Sequence, residues 1–135
     1  MLLIFFINQF MKISIITTVY NGINTIEKTI ESVLRQNYPN LEYIIVDAAS
    51  TDGTDKILNK YSRYIAHLIS EPDKGIYYGI NKGIKISSGD IISTLNSGDT
   101  LFDNALHTVS KYFKEHKDLD FLFGVVEKKK NSLQI

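Results

Sequence analysis

The run Tyr43-Ile44-Ile45-Val46-Asp47-Ala48-Ala49-Ser50-Thr51-Asp52-Gly53-Thr54 constrains this chain more than any other stretch. Four consecutive apolar or aromatic residues exceed what a half-exposed strand needs. They read as a strand buried on both faces, as in parallel sheets covered by helices. Asp47 ends the run, and two alanines and a Ser/Thr/Asp/Gly cluster follow as a turn. A carboxylate at the carboxyl end of a central parallel strand stands where open α/β sheets hold their ligands. A strand that merely stops at a solvated Asp is the plain alternative.

With 135 residues the chain has room for one domain with a core of its own. A hydrophobic share of 44% against 22% charged residues is that of an ordinary globular protein. Fifteen Lys/Arg against fifteen Asp/Glu leave no net field to attract nucleic acid or an anionic membrane, so no nucleic-acid partner is expected. The lack of cysteine excludes disulfides and thiolate metal sites and suits a cytoplasmic chain. His67, His107 and His116 lack ligand spacing and read as surface or helix-face residues.

Met1 to Phe10 begins apolar, but the run stops at Asn8, short of the roughly 20 residues that span a bilayer. It also lacks the basic start and small-residue cleavage site of a secretory signal. Residues 1–10 therefore read as an N-terminal extension ahead of Met11, leaving open a peripheral contact with the inner face of a membrane. The domain itself is expected over 11–127, and Lys128-Lys129-Lys130 opens a basic polar tail over 128–135.

Ile13 to Tyr20 is the first expected strand, ended by the turn dipeptide Asn21-Gly22. Asn24 with Glu27 makes a capping-box-like pair, and Ile26, Ile30, Val33 and Leu34 form one apolar helix face that ends near Asn37. Strand, helix, strand is a βαβ unit. After the run over 43–47 come a helix from Asp55 to Tyr61, a strand from Ala66 to Ser70, and a helix marked by Ile76, Ile80 and Ile84. A strand from Asp90 to Leu95, a helix from Asp103 to His116 and a fifth strand from Leu119 to Val126 complete the pattern. This alternation predicts an α/β fold, a mostly parallel sheet flanked by helices.

Parallel strands put their carboxyl ends on one rim. That rim collects Thr17, Thr18, Tyr20 and Asn21 from the first strand, Asp47 and Ser50 from the second, and Asn96 to Asp99 from the fourth. Hydroxyls, an aromatic and two carboxylates suit a nucleotide, with one carboxylate free to hold a divalent cation against a diphosphate. Hard oxygen ligands favour Mg²⁺ or Mn²⁺ over zinc. No Gly-x-Gly-x-x-Gly follows the first strand and no Gly-Lys-Ser/Thr occurs, so a metal ion must carry more of the phosphate charge. No Gly-x-Ser-x-Gly points to a hydrolase.

Four blocks carry a resemblance: ISIITTVYN (13–21), YIIVDAASTDGT (43–54), ISEPDKGIYYGINKG (69–83) and GDIISTLNSGD (89–99). In order and spacing they resemble family 2 glycosyltransferases of the GT-A fold, a Rossmann-like architecture. The resemblance implies an inverting transferase that moves a sugar from a nucleotide-diphosphate donor, commonly a UDP-sugar, to a saccharide or lipid-linked acceptor in cell-surface polysaccharide synthesis. It implies that Thr17, Thr18 and Tyr20 line the base and ribose pocket and that Asp47 contacts the nucleoside. Asp73 and Gly75 fall in the loop over the donor. Asn81 and Lys82 face the diphosphate or sugar, and Asn96 to Asp99 occupies the Asp-x-Asp region, with Asp99 the metal ligand.

The chain departs from that pattern in several places. Ala48-Ala49 stand where many relatives have acidic residues or glycine, Tyr78 where many have Asp, and only Asp99 remains of the metal motif. Family domains also continue past this end into the acceptor-binding half, and no general base is evident between Phe102 and Ile135. The expectation is thus a donor-binding part truncated before the acceptor half, prone to self-association through apolar surface. The alternatives are a non-catalytic remnant that binds nucleotide-sugar, and a Rossmann-type dinucleotide enzyme, which the missing glycine fingerprint disfavours.

Overall fold

The computed structural model describes residues 10–127, so the tail over 128–135 and all of the N-terminal extension except Phe10 lie outside the described residues. The elements follow as β1 (Ile13–Val19), α1 (Ile26–Leu34), β2 (Leu41–Asp47), α2 (Thr54–Lys60), a 3₁₀ turn (Ser62–Tyr64), β3 (His67–Ser70), α3 (Ile76–Ile86), β4 (Ile91–Thr94) and α4 (Ala105–Glu115). The four strands form one parallel sheet in the order β3-β2-β1-β4. The two central strands are buried along almost their whole length, as the continuous apolar run over 43–46 requires.

Side chains alternate across the sheet. On one face Ile13, Ile15, Val19, Tyr43 and Ile45 pack with Ile26, Ile30 and Val33 of α1, Leu58 of α2 and Leu106 of α4. On the other face Ile16, Ile44 and Val46 form a thinner layer under α3. There the helix lays glycines, not its isoleucines, on the strands. Gly79 and Gly83 are its buried residues, whereas Ile80 is half-buried and Ile76 and Ile84 are exposed. Without side chains at those two positions, the helix backbone can approach β1 closely.

The expected capping box does not form. α1 starts at Ile26 with Thr25 in the cap position and no side-chain cap; Glu27 instead accepts from Lys60 Nζ at 2.6 Å and Tyr61 Oη at 3.0 Å. The Gly22 carbonyl takes the amides of both Thr25 and Ile26, so a backbone turn does the work assigned to Asn24.

The fifth strand is absent too: residues 119–127 have no regular structure, and Phe121, Phe123, Val125 and Val126 are exposed. Topology explains why. α1 lies on one face while the chain steps from β1 to β2, and α4 packs on that same face. A further parallel strand outside β4 would be a step in the opposite direction. With its helix on the same face, that crossover would have the opposite hand to β1-α1-β2, and crossovers are right-handed in nearly all sheets. Local strand propensity over 119–126 therefore has no parallel partner to join.

At the amino ends of the strands lies a buried polar cluster. Glu42 accepts from Ser14 Oγ at 2.5 Å, Ser88 N at 2.7 Å, Ser88 Oγ at 2.6 Å and Lys12 Nζ at 3.0 Å. Burial alone would raise its carboxyl, but these donors outweigh burial and bring it down to about 2. The cluster ties the loop after α3 to the starts of β1 and β2. Among the described residues no helix is long and apolar enough to cross a membrane.

Candidate functional site

At the carboxyl ends of the strands the loops surround an open cavity of about 740 Å³. β1 contributes Thr18 and the residues after it, Tyr20 and Asn21; the turn after β2 contributes Ala48 and Ala49; the loop before α3 contributes Asp73 and Gly75; and the loop after β4 contributes Asn96 and Ser97. Thr18 donates to Asn96 Oδ1 at 3.3 Å, joining the first and last of these walls. Tyr20 is 67% exposed, an aromatic surface open to whatever enters.

Thr17 is not in the wall. With a period of two, Thr18 faces the cavity side and Thr17 the opposite core, where its hydroxyl meets Tyr43 Oη at 3.1 Å. Burial pushes the Tyr43 phenol up to about 12, the Thr17 hydrogen bond opposing. Thr17, which the resemblance assigns to the base pocket, therefore does not line this cavity.

Asp47 sits behind the wall, almost fully buried. Its carboxylate accepts from Ser50 N at 3.2 Å, Ser50 Oγ at 2.5 Å and Ser70 Oγ at 2.6 Å. Ser50 Oγ in turn accepts from Asn21 N at 2.8 Å, and Asn21 Oδ1 accepts from Thr51 N at 2.9 Å. Asp47 thus shapes the Ala48–Ser50 turn and ties it to the end of β1. Asp52 extends this stitching, accepting from Ile23 N at 3.0 Å and from the Thr54 hydroxyl, which with the backbone donors holds its carboxyl below the ordinary range.

Asp99 follows β4, which lies two strand positions from β2 in the order β2-β1-β4, and it is not among the residues that line the cavity. It is exposed. Its backbone carbonyl accepts from Thr29 Oγ1 at 2.8 Å, while no hydrogen bond or ion pair engages its carboxylate among the described residues. Asn81 is exposed on α3, and Lys82 is paired with Glu71 at 2.9 Å; neither lines the cavity. Gly75 does, at φ 125°, and its amide donates to Asp73 Oδ1 at 2.9 Å.

Among the described residues no group of three or more His, Asp or Glu gathers as a metal cage. Asp99, outside the cavity wall, and the wall oxygens of Asn96 and Asp73 could meet a divalent cation only as part of a shell completed by water and phosphate oxygen, as Mg²⁺ accepts. They do not fit a cation held by protein alone. Of the histidines, His67 is exposed on β3 near Glu42, whereas His107 is wedged edge-on between Phe10 and Tyr38 on α4.

Residues 14–135 match the family model described as Glycosyl transferase family 2. The chain belongs to that family.

Its relatives are longer proteins. EpsE of Bacillus subtilis (strain 168), named a putative glycosyltransferase, is 31% identical over 110 residues, covering 78% of this chain and 40% of that protein. TuaG of the same organism, a putative teichuronic acid biosynthesis glycosyltransferase, is 38% identical over 92 residues, covering 64% of this chain and 36% of its own. The crystal structure of S. aureus TarS 1-349 in complex with UDP-GlcNAc superposes with a TM-score of 0.74 at 26% identity, over 79% of this chain and 32% of that one. This family 2 chain therefore has the GT-A architecture and spans less than half the length of each of these proteins.

Several wall residues of this family 2 chain escaped the sequence reading: Gly22, Thr25, Ala48, Ala49, Pro72 and Ile76. Ser97 lay inside the loop singled out after β4. Ala49 carried a signal, standing where the resemblance implies glycine, and the structure holds it at φ 58°.

Proposed function

We propose that the cavity binds the nucleotide-diphosphate sugar donor, a UDP-sugar, of an inverting glycosyltransferase that acts on a saccharide or lipid-linked acceptor in cell-surface polysaccharide synthesis. The observation that carries this reading is the cavity itself, a rim site lined by Thr18, Tyr20, Asn21, Asp73 and Asn96 in a GT-A sheet. Tyr20 offers a face for the base, and Asn21 and Thr18 offer polar groups for the ribose. The UDP-GlcNAc complex of TarS supports a uridine donor. Asp99, with Asn96 nearby, is the side chain we assign to Mg²⁺ or Mn²⁺, which when bound would neutralise the departing diphosphate.

In the transfer itself, an acceptor hydroxyl oxygen forms a bond to the anomeric carbon from the face opposite the diphosphate. The bond from that carbon to the phosphate oxygen breaks, and a base takes the hydroxyl proton. Asp73 is the carboxylate in the described cavity wall, and its Oδ1 already accepts from Gly75 N, which favours a second reading: donor binding without transfer.

The test is a thermal-shift panel of UDP, GDP and dinucleotides with and without Mn²⁺, since a ligand of the folded state raises the melting temperature. The proposal expects the largest rise with UDP plus Mn²⁺; a rise with dinucleotides alone, or with none, rejects it. Release of UDP from a UDP-sugar by the same chain then separates transferase from binder.

A further inference from the structure

α1 carries a second stripe beside its apolar one. Thr25 at the cap of α1, Thr29 and Ser32 within it and Gln36 in the turn that follows recur at i, i+4, i+7 and i+11, which lines them up in one row. The last three are buried at 3% exposure or less, a setting that ordinarily selects apolar side chains. Every one of the four bonds to the irregular chain that follows β4.

Thr25 Oγ1 meets Ser97 Oγ at 2.8 Å. Thr29 Oγ1 accepts from Gly98 N at 2.9 Å and donates to the Asp99 carbonyl at 2.8 Å. Ser32 Oγ accepts from Leu101 N at 3.2 Å; Gln36 Nε2 donates to the Phe102 carbonyl at 2.8 Å and its Oε1 accepts from Leu106 N at 3.2 Å. Hydroxyls inside helices usually bond back to their own helix four residues earlier. At Thr29 that bond is the long one, Oγ1 to the Thr25 carbonyl at 3.4 Å, and its shorter bonds go to the loop, whereas Ser32 keeps a 2.8 Å bond to the Thr29 carbonyl beside its loop contact. Apolar residues would fill the same row without fixing any backbone geometry. A fully satisfied buried polar row fixes one conformation.

The row also begins at the cavity, because Gly22 and Thr25 are part of its wall. α1 is thus a common frame for the β1 side of the site and for the loop that bears Asp99. Thr29 grips the peptides on both sides of the Gly98–Asp99 link, and Gly98 adopts φ 103°, a conformation that a side chain would oppose.

We propose that Thr29 is a positioning residue for Asp99: by holding Gly98 N–H and the Asp99 carbonyl it aims the free carboxylate at a cation bound with the donor diphosphate, while Ser32 and Gln36 hold the rest of the loop. This rests on the donor-binding reading above, in which Asp99 meets the metal.

The experiment is calorimetric titration of UDP into the chain with Mn²⁺ and with a chelator. Thr29→Val keeps the shape and removes the hydroxyl; Thr29→Ser keeps the hydroxyl. The expected result is that Thr29→Val loses about tenfold in the Mn²⁺ enhancement of UDP affinity, keeps its metal-free affinity within about twofold, and exchanges the Gly98 amide hydrogen faster, whereas Thr29→Ser behaves as the wild type. Ser32→Ala, which removes only the acceptor for Leu101 N–H and the bond to the Thr29 carbonyl, is the milder variant should Thr29→Val not fold, with an expected loss of about threefold. An unchanged enhancement in the folded variant, or equal losses with and without Mn²⁺, overturns the role of Thr29 while the donor site stands. A wild-type chain that binds UDP in neither condition overturns the donor reading, and this role with it; binding that is indifferent to Mn²⁺ overturns the role of Asp99 and therefore of Thr29.

Discussion

The Cβ that Gly83 lacks would stand 2.4 Å from Cγ2 of Ile16, and Ile16 has no exposed surface into which to move. Ile16 is β-branched and stiff at χ1, so Cγ2 cannot swing aside. Gly83→Ala gains about 1 kcal/mol of helix propensity, but overpacking a buried contact costs about 1–3 kcal/mol. The expected outcome is a net loss of about 1 kcal/mol, seen as a lower urea midpoint at unchanged slope. In an Ile16→Ala background the same substitution should cost nothing or stabilise. A cost that persists there would place the strain elsewhere.

Glu42 makes a prediction about acid. Its folded carboxyl lies near 2, below the ordinary 4.5, because the donors from Ser14, Ser88 and Lys12 overcome the opposing effect of burial. A depressed carboxyl contributes stability above the unfolded value that is lost as pH falls through the folded one. The wild type should therefore lose about 2–3 kcal/mol between pH 4.5 and about 2. Glu42→Gln should already be less stable at pH 7 and show a shallower acid limb, measured by urea unfolding at stepped pH. Parallel acid limbs would show that the carboxylate is not the group responsible.

The strands were legible because burial on both faces writes itself as unbroken apolar runs, as over 43–46, and the apolar face of α1 because Ile26, Ile30 and Val33 keep helical spacing. What escaped depends on partners far away in sequence. Thr29, Ser32 and Gln36 look like ordinary helix residues until the loop nearly seventy positions later is seen against them. Thr17 and Thr18 are chemically alike and differ only in the face they occupy. The stretch over 119–126 has strand propensity, but α4 comes down the wrong face to deliver it as a parallel neighbour of β4. Propensity is local and handedness is not.

Ala49 adopts φ 58° in the turn that Asp47 holds, a left-handed conformation that costs a non-glycine residue about 1–2 kcal/mol. Ala49→Gly relieves this, and the greater freedom of glycine in the unfolded chain takes back about 0.4–1 kcal/mol. The variant should gain roughly 0.5–1 kcal/mol, seen as a melting temperature a few degrees higher. Ala48→Gly, at a position without a positive φ, has only the entropic term and should be slightly less stable. A lower melting temperature for Ala49→Gly would mean that its methyl packing outweighs the backbone strain.

Tyr20 and Asp47 flank the same cavity but should separate binding from stability. Tyr20 is mostly exposed and lines the wall, whereas Asp47 is buried behind it and holds Ser50 and Ser70. Removing an exposed ring should leave stability within about 0.5 kcal/mol, while loss of a base–aromatic stack costs about 1–3 kcal/mol. Tyr20→Ala is thus expected to weaken UDP binding about tenfold or more at an unchanged melting temperature, and Tyr20→Phe to bind as the wild type. Asp47→Ala leaves two serine hydroxyls and an amide without their acceptor, so it should lower the melting temperature and the affinity together. Calorimetry and melting curves on the three variants decide the matter: full UDP affinity in Tyr20→Ala would move the base away from this wall, and an Asp47→Ala chain with normal stability would mean that the turn does not depend on its carboxylate.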